Sequence, residues 1–301
     1  MANFIWKYRI RASSWDSLCR PEDEGGIGIR RIQDLVAGLK LFWRCFTTAG
    51  VWASWMKKNY NTYTPSNATT HPMASGTWKL LLSYENLASL HIITGADFNT
   101  TDTWVWSAYS SGQFSFSSVL NISREFNPKF YLTNVVWCKA NCPKMSCCLL
   151  RALTNRLLTK HRLKKFGFIT EENCVLCNSS PKTSDLLFSS CEFLAYIWAR
   201  CKLKLGLQAT IQSLQEEACE FKEIYTKKTK LSALGLVTLC ATVWHIWRER
   251  NNIIFDSTEH SKLEVFNGVH VDITVLVHFC HWKDEKNSRG LQILNNWDLF
   301  V

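Results

Sequence analysis

The chain is predicted to be mainly α-helical, with a short β-hairpin and a small cysteine-rich, zinc-knuckle-like loop. Three observations predict this. Apolar residues recur at three- and four-residue spacing through most of the sequence, the mark of amphipathic helices. Strand-like alternation is confined to the stretch from Trp104 to Phe116. Cys174, Cys177 and Cys191 are grouped in a Ser- and Asn-rich stretch that reads as loop. The 301 residues suffice for one large or two small domains. Hydrophobic content of 47%, 14 tryptophans and few glycines and prolines describe a chain that buries a core, which excludes a disordered protein.

From Ile32 to Trp55, Leu35, Leu39, Phe42, Trp43 and Phe46 fall at helical spacing after the Gly25-Gly26 turn. Asn59 to Ser75, rich in Asn, Thr, Ser and Pro, reads as a linker loop, and Asp97 to Asp102 as another. A helix is expected from Trp78 to Leu90 between them. Trp104-Val105-Trp106 and Gln113-Phe114-Ser115-Phe116 alternate around Ser110-Ser111-Gly112, which predicts a hairpin. Pro143 suits the first turn of a helix, where its missing donor costs nothing. Met145, Leu149, Ala152, Leu153 and Leu157 continue that helix as one apolar stripe through Leu158, with Cys147 and Cys148 in its core pattern. Helices are expected over Lys160–Phe166, Phe193–Leu205, Leu214–Tyr225 and Leu231–Phe255, followed by a helical tail. Leu231 to Trp247 is almost uncharged, but it is shorter than the roughly 20 residues of a membrane span and carries Ser232, Thr238, Thr242 and His245. It reads as a buried core helix, and no membrane is expected.

The net charge of +10 points to an acidic partner, RNA or DNA first. Most of the excess is local. No Asp or Glu occurs between Phe126 and Thr170, a stretch holding Lys129, Lys139, Lys144, Arg151, Arg156, Lys160, Arg162, Lys164 and Lys165. Lys144 and Arg151 share a helical face, and Arg156, Lys160 and Lys164 step by four. Such a stripe can neutralise phosphates; the alternative is a solvated surface. Thirteen cysteines without an N-terminal signal segment imply buried thiols and a metal site in a reducing compartment, nuclear or cytoplasmic.

Cys174 and Cys177, two residues apart, fit one turn, and Cys191 returns after a short excursion. A structural zinc needs a fourth donor. The surroundings of this cluster resemble the zinc-binding region that follows the polymerase in plant non-LTR (LINE-type) retrotransposon reverse transcriptases. The resemblance is carried by Pro143-Lys144-Met145-Ser146, by Arg151 to Leu163, and by Phe193 and Ile197-Trp198. Trp15 to Pro21 and Glu24 to Arg30 are similar to the stretch after the polymerase thumb. Gly112 to Phe116 is similar to the strand opening the zinc-binding domain, and Trp244 to Asn251 to the closing helix. The resemblance implies zinc on Cys174, Cys177 and Cys191. It also implies a histidine where this chain has Leu186, five residues before Cys191. His161 and Cys201 are the candidate replacements; otherwise the site is degenerate, empty or weakly held.

By the same resemblance, residues 1–60 follow the thumb, 61–103 form a linker and helix, 104–200 the zinc-binding-like domain, and 201–301 a helical C-terminal region. Paired aspartates that hold two metal ions for polymerisation are absent, since no Asp-Asp pair occurs. The carboxylates of a ribonuclease H domain are not expected either. Asp272, Asp284, Glu285 and Asp298 read as solvated, and His278 and His281 as part of a packed tail. No catalytic residue, P-loop, dinucleotide fingerprint or small-molecule substrate is expected. The resulting expectation is a nucleic-acid-binding remnant without a polymerase core. The alternatives are a remnant without activity and an accessory subunit to a polymerase on another chain.

Overall fold

The computed structural model describes residues 14–29, 34–60, 74–95, 103–123, 126–165, 173–177, 191–225, 229–279 and 288–299. It is mostly helical with one two-stranded antiparallel hairpin, as the sequence predicts. The chain divides into two compact units. One comprises residues 30–127; the other comprises residues 1–29 and 128–301.

In the first unit, helices α2 (Asp34–Thr47), α3 (Val51–Tyr60), α4 (Gly76–Leu82) and α5 (Glu85–His91) lead into strands β1 (Ile92–Gly95) and β2 (Thr103–Trp106), then α6 (Phe116–Ser123). Two sequence expectations are corrected. The single helix over 78–90 is two, broken at Ser83-Tyr84. The Tyr84 ring packs on Gly38, where a Cβ would lie 2.3 Å away, so the break lets the aromatic ring fill a gap on α2. The partner of β2 is Ile92–Gly95, paired Ile92 to Trp106 and Gly95 to Thr103, and not Gln113–Phe116. Phe116 instead starts α6, although Trp106 N–H still donates to Gly112 O at 2.7 Å. Trp106 is fully buried, its indole N–H donating to Ser118 Oγ at 2.7 Å, with Leu39, Phe42, Trp78 and Val119 in the same core.

The second unit opens with α1 (Trp15–Cys19) and a 3-10 turn at Glu22–Glu24 ending on Gly25 in the left-handed region. Phe130 N–H donates to Asp23 O, which ties this segment to the chain after residue 128. Then follow α7 (Thr133–Val136), α8 (Pro143–Leu153), α9 (Lys160–Lys165), α10 (Glu192–Lys204), α11 (Leu214–Ile224), α12 (Lys230–Asn251), a π-turn at Asn252–Asp256, α13 (Lys262–Phe279) and α14 (Ser288–Asn296). Pro143 is the first residue of α8, as expected. Ser213 and Glu216 form a reciprocal capping box at the start of α11, satisfying two backbone donors that the first turn leaves open.

Helix α12 is the centre of this unit, packed by α8, α10, α11 and α13. It is buried on nearly all sides: Leu234, Val237, Leu239, Cys240, Ala241, Val243 and Ile246 are all core. Thr238 and Thr242 hide their hydroxyls by donating back to the carbonyls of Leu234 and Thr238. By length and composition it could cross a membrane, yet 72% of its most apolar window is buried inside the protein. Gly268 lets α13 approach: a Cβ there would lie 2.8 Å from the His245 ring, and His245 Nε2 sits 2.6 Å from Asp272 Oδ2. Asp272 is therefore a partly buried partner of His245 rather than a purely solvated residue. Asp298 is exposed and pairs with Lys204 at 2.8 Å. Asp284, Glu285 and His281 lie outside the described residues, and His278 is exposed on α13.

Candidate metal centre

Cys174 leads into a tight turn over residues 175–177, and Cys191 is the N-cap of α10. The turn is anchored by Leu176, which joins the main core together with Cys174 and Cys191. The three sulfurs thereby converge: Cys174, Cys177 and Cys191 Sγ all lie within 4.8 Å of one another, with Cys174 to Cys191 at 3.9 Å. A tetrahedron with zinc–sulfur bonds of about 2.3 Å has sulfur–sulfur edges of about 3.8 Å. Three sulfurs at this spacing, two of them buried, fit three vertices of a zinc site.

The electrostatics favour thiolate at Cys174. The Cys191 thiol and the backbone N–H groups of Leu176 and Cys177 all point at the Cys174 sulfur, which holds its pKa well below the usual thiol range despite burial. Cys191 is pushed up in turn, because it keeps the proton it shares with Cys174. Its place at the start of α10 puts it where the peptide dipoles favour negative charge.

Among the described residues no fourth Cys, His, Asp or Glu joins this group. Cys201 is corrected as a replacement ligand. It lies ten residues along α10 from Cys191, a rise of about 15 Å at about 1.5 Å per residue. It is fully buried, lies 3.4 Å from Thr242 Oγ1, and desolvation pushes its thiol up to about 12. Cys148 is likewise a core thiol, raised by burial to about 12. His161 is in α9, but its side chain, like Leu186, lies outside the described residues.

Arg250 belongs to this neighbourhood and is not among the residues the sequence pattern singles out. Its guanidinium is buried on α12, donates to Leu158 O at 2.9 Å, and lies 4.6 Å from the Trp247 ring centroid. Burial lowers it to about 10 while the Cys174 charge works to raise it. Three thiolates and one zinc ion would sum to a single negative charge, and Arg250, which feels the Cys174 charge, would offset it. Neighbouring Glu249, also buried, accepts from His260 N at 2.7 Å, His260 Nδ1 at 2.8 Å and Asn252 Nδ2 at 3.2 Å, which pins the chain just beyond Arg250.

The basic stretch is placed in two pieces. Lys144 and Arg151 lie on α8; Lys160, Arg162, Lys164 and Lys165 lie on α9. Arg156 is on neither, which corrects the step-by-four expectation. Helix α8 ends in a Schellman turn: Arg156 N–H donates to Arg151 O, Asn155 N–H donates to Ala152 O, and Asn155 takes φ 54°. Arg151 is half-buried, with desolvation lowering it; Arg156 is lowered by burial and by the guanidinia of Arg20 and Arg162. Arg162 donates to Asn155 O at 3.1 Å. Arg156 thus lies near Arg20 and Arg162, and Arg151 near Arg162. Lys144 is exposed, its Nζ 5.4 Å from the Trp244 ring centroid.

Residues 114–198 match the family described as zinc-binding in reverse transcriptase. The matched residues take in the three cysteines, α8 and α9, while Trp15–Arg30 and Trp244–Asn251 lie outside them. No curated protein and no solved structure matches the chain.

Proposed function

We propose that this chain is a nucleic-acid-binding segment of a reverse-transcriptase-related protein of the plant LINE type, with a zinc site that keeps three cysteines and lacks its fourth ligand, and without polymerase chemistry of its own. The carrying observation is the convergence of Cys174, Cys177 and Cys191 sulfurs inside the stretch that matches a reverse-transcriptase zinc-binding family. Zinc held there would be structural, tying the 174–177 turn to the start of α10, with Arg250 placed to offset the thiolate charge. Lys144, Arg151, Arg156, Lys160, Arg162, Lys164 and Lys165 follow on adjoining elements and supply phosphate contacts to RNA or DNA. Its compartment on this reading is a reducing one, nuclear or cytoplasmic, from the high cysteine count of the sequence.

Duplex binding is expected to be weak in sequence preference and steep in salt. The variant Arg156→Gln/Lys160→Gln/Lys164→Gln is expected to flatten the slope of log affinity against log salt by about 0.9 for each phosphate that is no longer neutralised. Unchanged affinity and slope return these residues to a solvated surface. Primer extension on RNA or DNA templates is expected to be absent from the pure chain, because no paired aspartates hold two metal ions. Metal-dependent extension, lost on mutating this chain's own acidic residues, contradicts that. A polymerase that co-purifies with the chain instead makes it an accessory subunit. The second reading, a remnant with a degenerate site, is favoured by Leu186, which cannot ligate a metal.

A further inference from the structure

The first unit presents a surface that the zinc centre and the basic stretch do not use. Helix α3 buries Ala53 and Met56 and turns its opposite face outward. On that face Val51 is 90% exposed, Trp52 39% and Trp55 53%, with Lys58 exposed one turn further on. Single exposed apolar residues are ordinary, but two indoles side by side on one helix face are not, because each buries a large apolar area when covered. The indoles are three residues apart, the spacing that makes helix side chains neighbours at about 5–6 Å.

Charge indicates what covers them. No Asp or Glu occurs from Leu35 to Tyr84, a stretch that carries Lys40, Arg44, Lys57, Lys58 and Lys79. Helix α3 itself has Lys57 and Lys58 in its last turn, and no acidic residue. Trp55 is also held in place. Trp55 meets Tyr60 edge to face at 6.3 Å, Tyr60 stacks on Trp78 at 4.4 Å, and Trp78 is in the core. An indole already fixed in position loses little freedom when a second ring stacks on it.

We propose that the outer face of α3 binds single-stranded nucleic acid, with two neighbouring bases stacking on Trp52 and Trp55 and Lys58 meeting the backbone phosphate. Duplex does not fit this face, since its bases already cover one another. Stacking of this kind tolerates any base, because every base has a π-face. The inference rests on a different unit from the phosphate-binding stretch, so either stands if the other fails.

The test compares two fluorescently labelled 12-mers at matched salt, one of thymidine and one abasic, which have the same phosphates. The intact chain is expected to prefer the thymidine strand. Trp52→Ala/Trp55→Ala is expected to weaken thymidine binding about tenfold or more, to leave abasic binding unchanged, and to leave the salt slope unchanged. Trp52→Leu/Trp55→Leu, which keeps apolar bulk without a π-face, is expected to lose the same preference while melting like the intact chain. Equal affinity of the intact chain for the two strands overturns the proposal. So does an indole variant that keeps the thymidine preference, or loses both strands equally. Loss of binding to phosphatidylserine-containing vesicles, with thymidine binding intact, assigns the face to a membrane surface and overturns it as well. The Arg156→Gln/Lys160→Gln/Lys164→Gln variant is expected to weaken both strands alike, which separates the two surfaces.

Discussion

Lys202→Met destabilises the unit built around α12 by about 3–5 kcal/mol, read as a denaturant midpoint shift at unchanged slope. Lys202 is fully buried, yet every donor has a place: Glu217 Oε2 at 2.9 Å and Oε1 at 3.2 Å, Thr210 O at 3.0 Å and Glu220 Oε2 at 3.4 Å. The pair joins α10 to α11, and Glu217 also accepts from Gln212 N at 3.1 Å. Methionine fills the stem's space but strands the Glu217 carboxylate, which is 2% exposed. Desolvating that charge without its partner is the cost, and it far exceeds the worth of an exposed pair such as Lys204–Asp298. The double variant Lys202→Met/Glu217→Leu is expected to recover most of the loss, because two apolar side chains need no partner. A double variant no more stable than Lys202→Met would mean that the shape of the site, not its charge, holds α10 and α11 together.

Much of this architecture was legible in the sequence, for a physical reason. Helices α8, α10, α11 and α12 pack one face, or all faces, into a core, so their apolar spacing writes the burial directly into the chain. What was not legible depends on partners distant in sequence. Ile92 and Ile93 lie beyond the helix expected to end at Leu90 and carried no strand signal of their own; only pairing with Trp106 and Val105 makes them a strand. The break at Tyr84 exists because Gly38 leaves room for its ring. Arg156 had helical spacing to Lys160, but Asn155 in the left-handed region ends α8 before it. The cysteine triad was legible because three cysteines at short spacing form a recognisable ligand set. Arg250 was not, because its proximity to Cys174 is created by folding across 76 positions of the chain.

The largest expected effect concerns the fourth vertex of that site. Leu186→His restores the donor that the family resemblance places five residues before Cys191. Three sulfurs are already gathered within 4.8 Å, so the added imidazole completes a set and does not have to assemble one. Structural zinc contributes its binding energy to folding, about 10–16 kcal/mol in small zinc domains. This unit folds around a large core of its own, so only part of that range is expected to appear as added stability. The variant is expected to unfold at higher denaturant than the natural chain and to lose the gain on chelation.

The most direct measurement is zinc per chain after gel filtration, for the natural sequence and for Leu186→His side by side. The account predicts clearly less than one zinc in the natural chain and one in the variant, both abolished by Cys174→Ser or Cys191→Ser. One tightly held zinc in the natural chain, or no cysteine-dependent zinc in either, would contradict it.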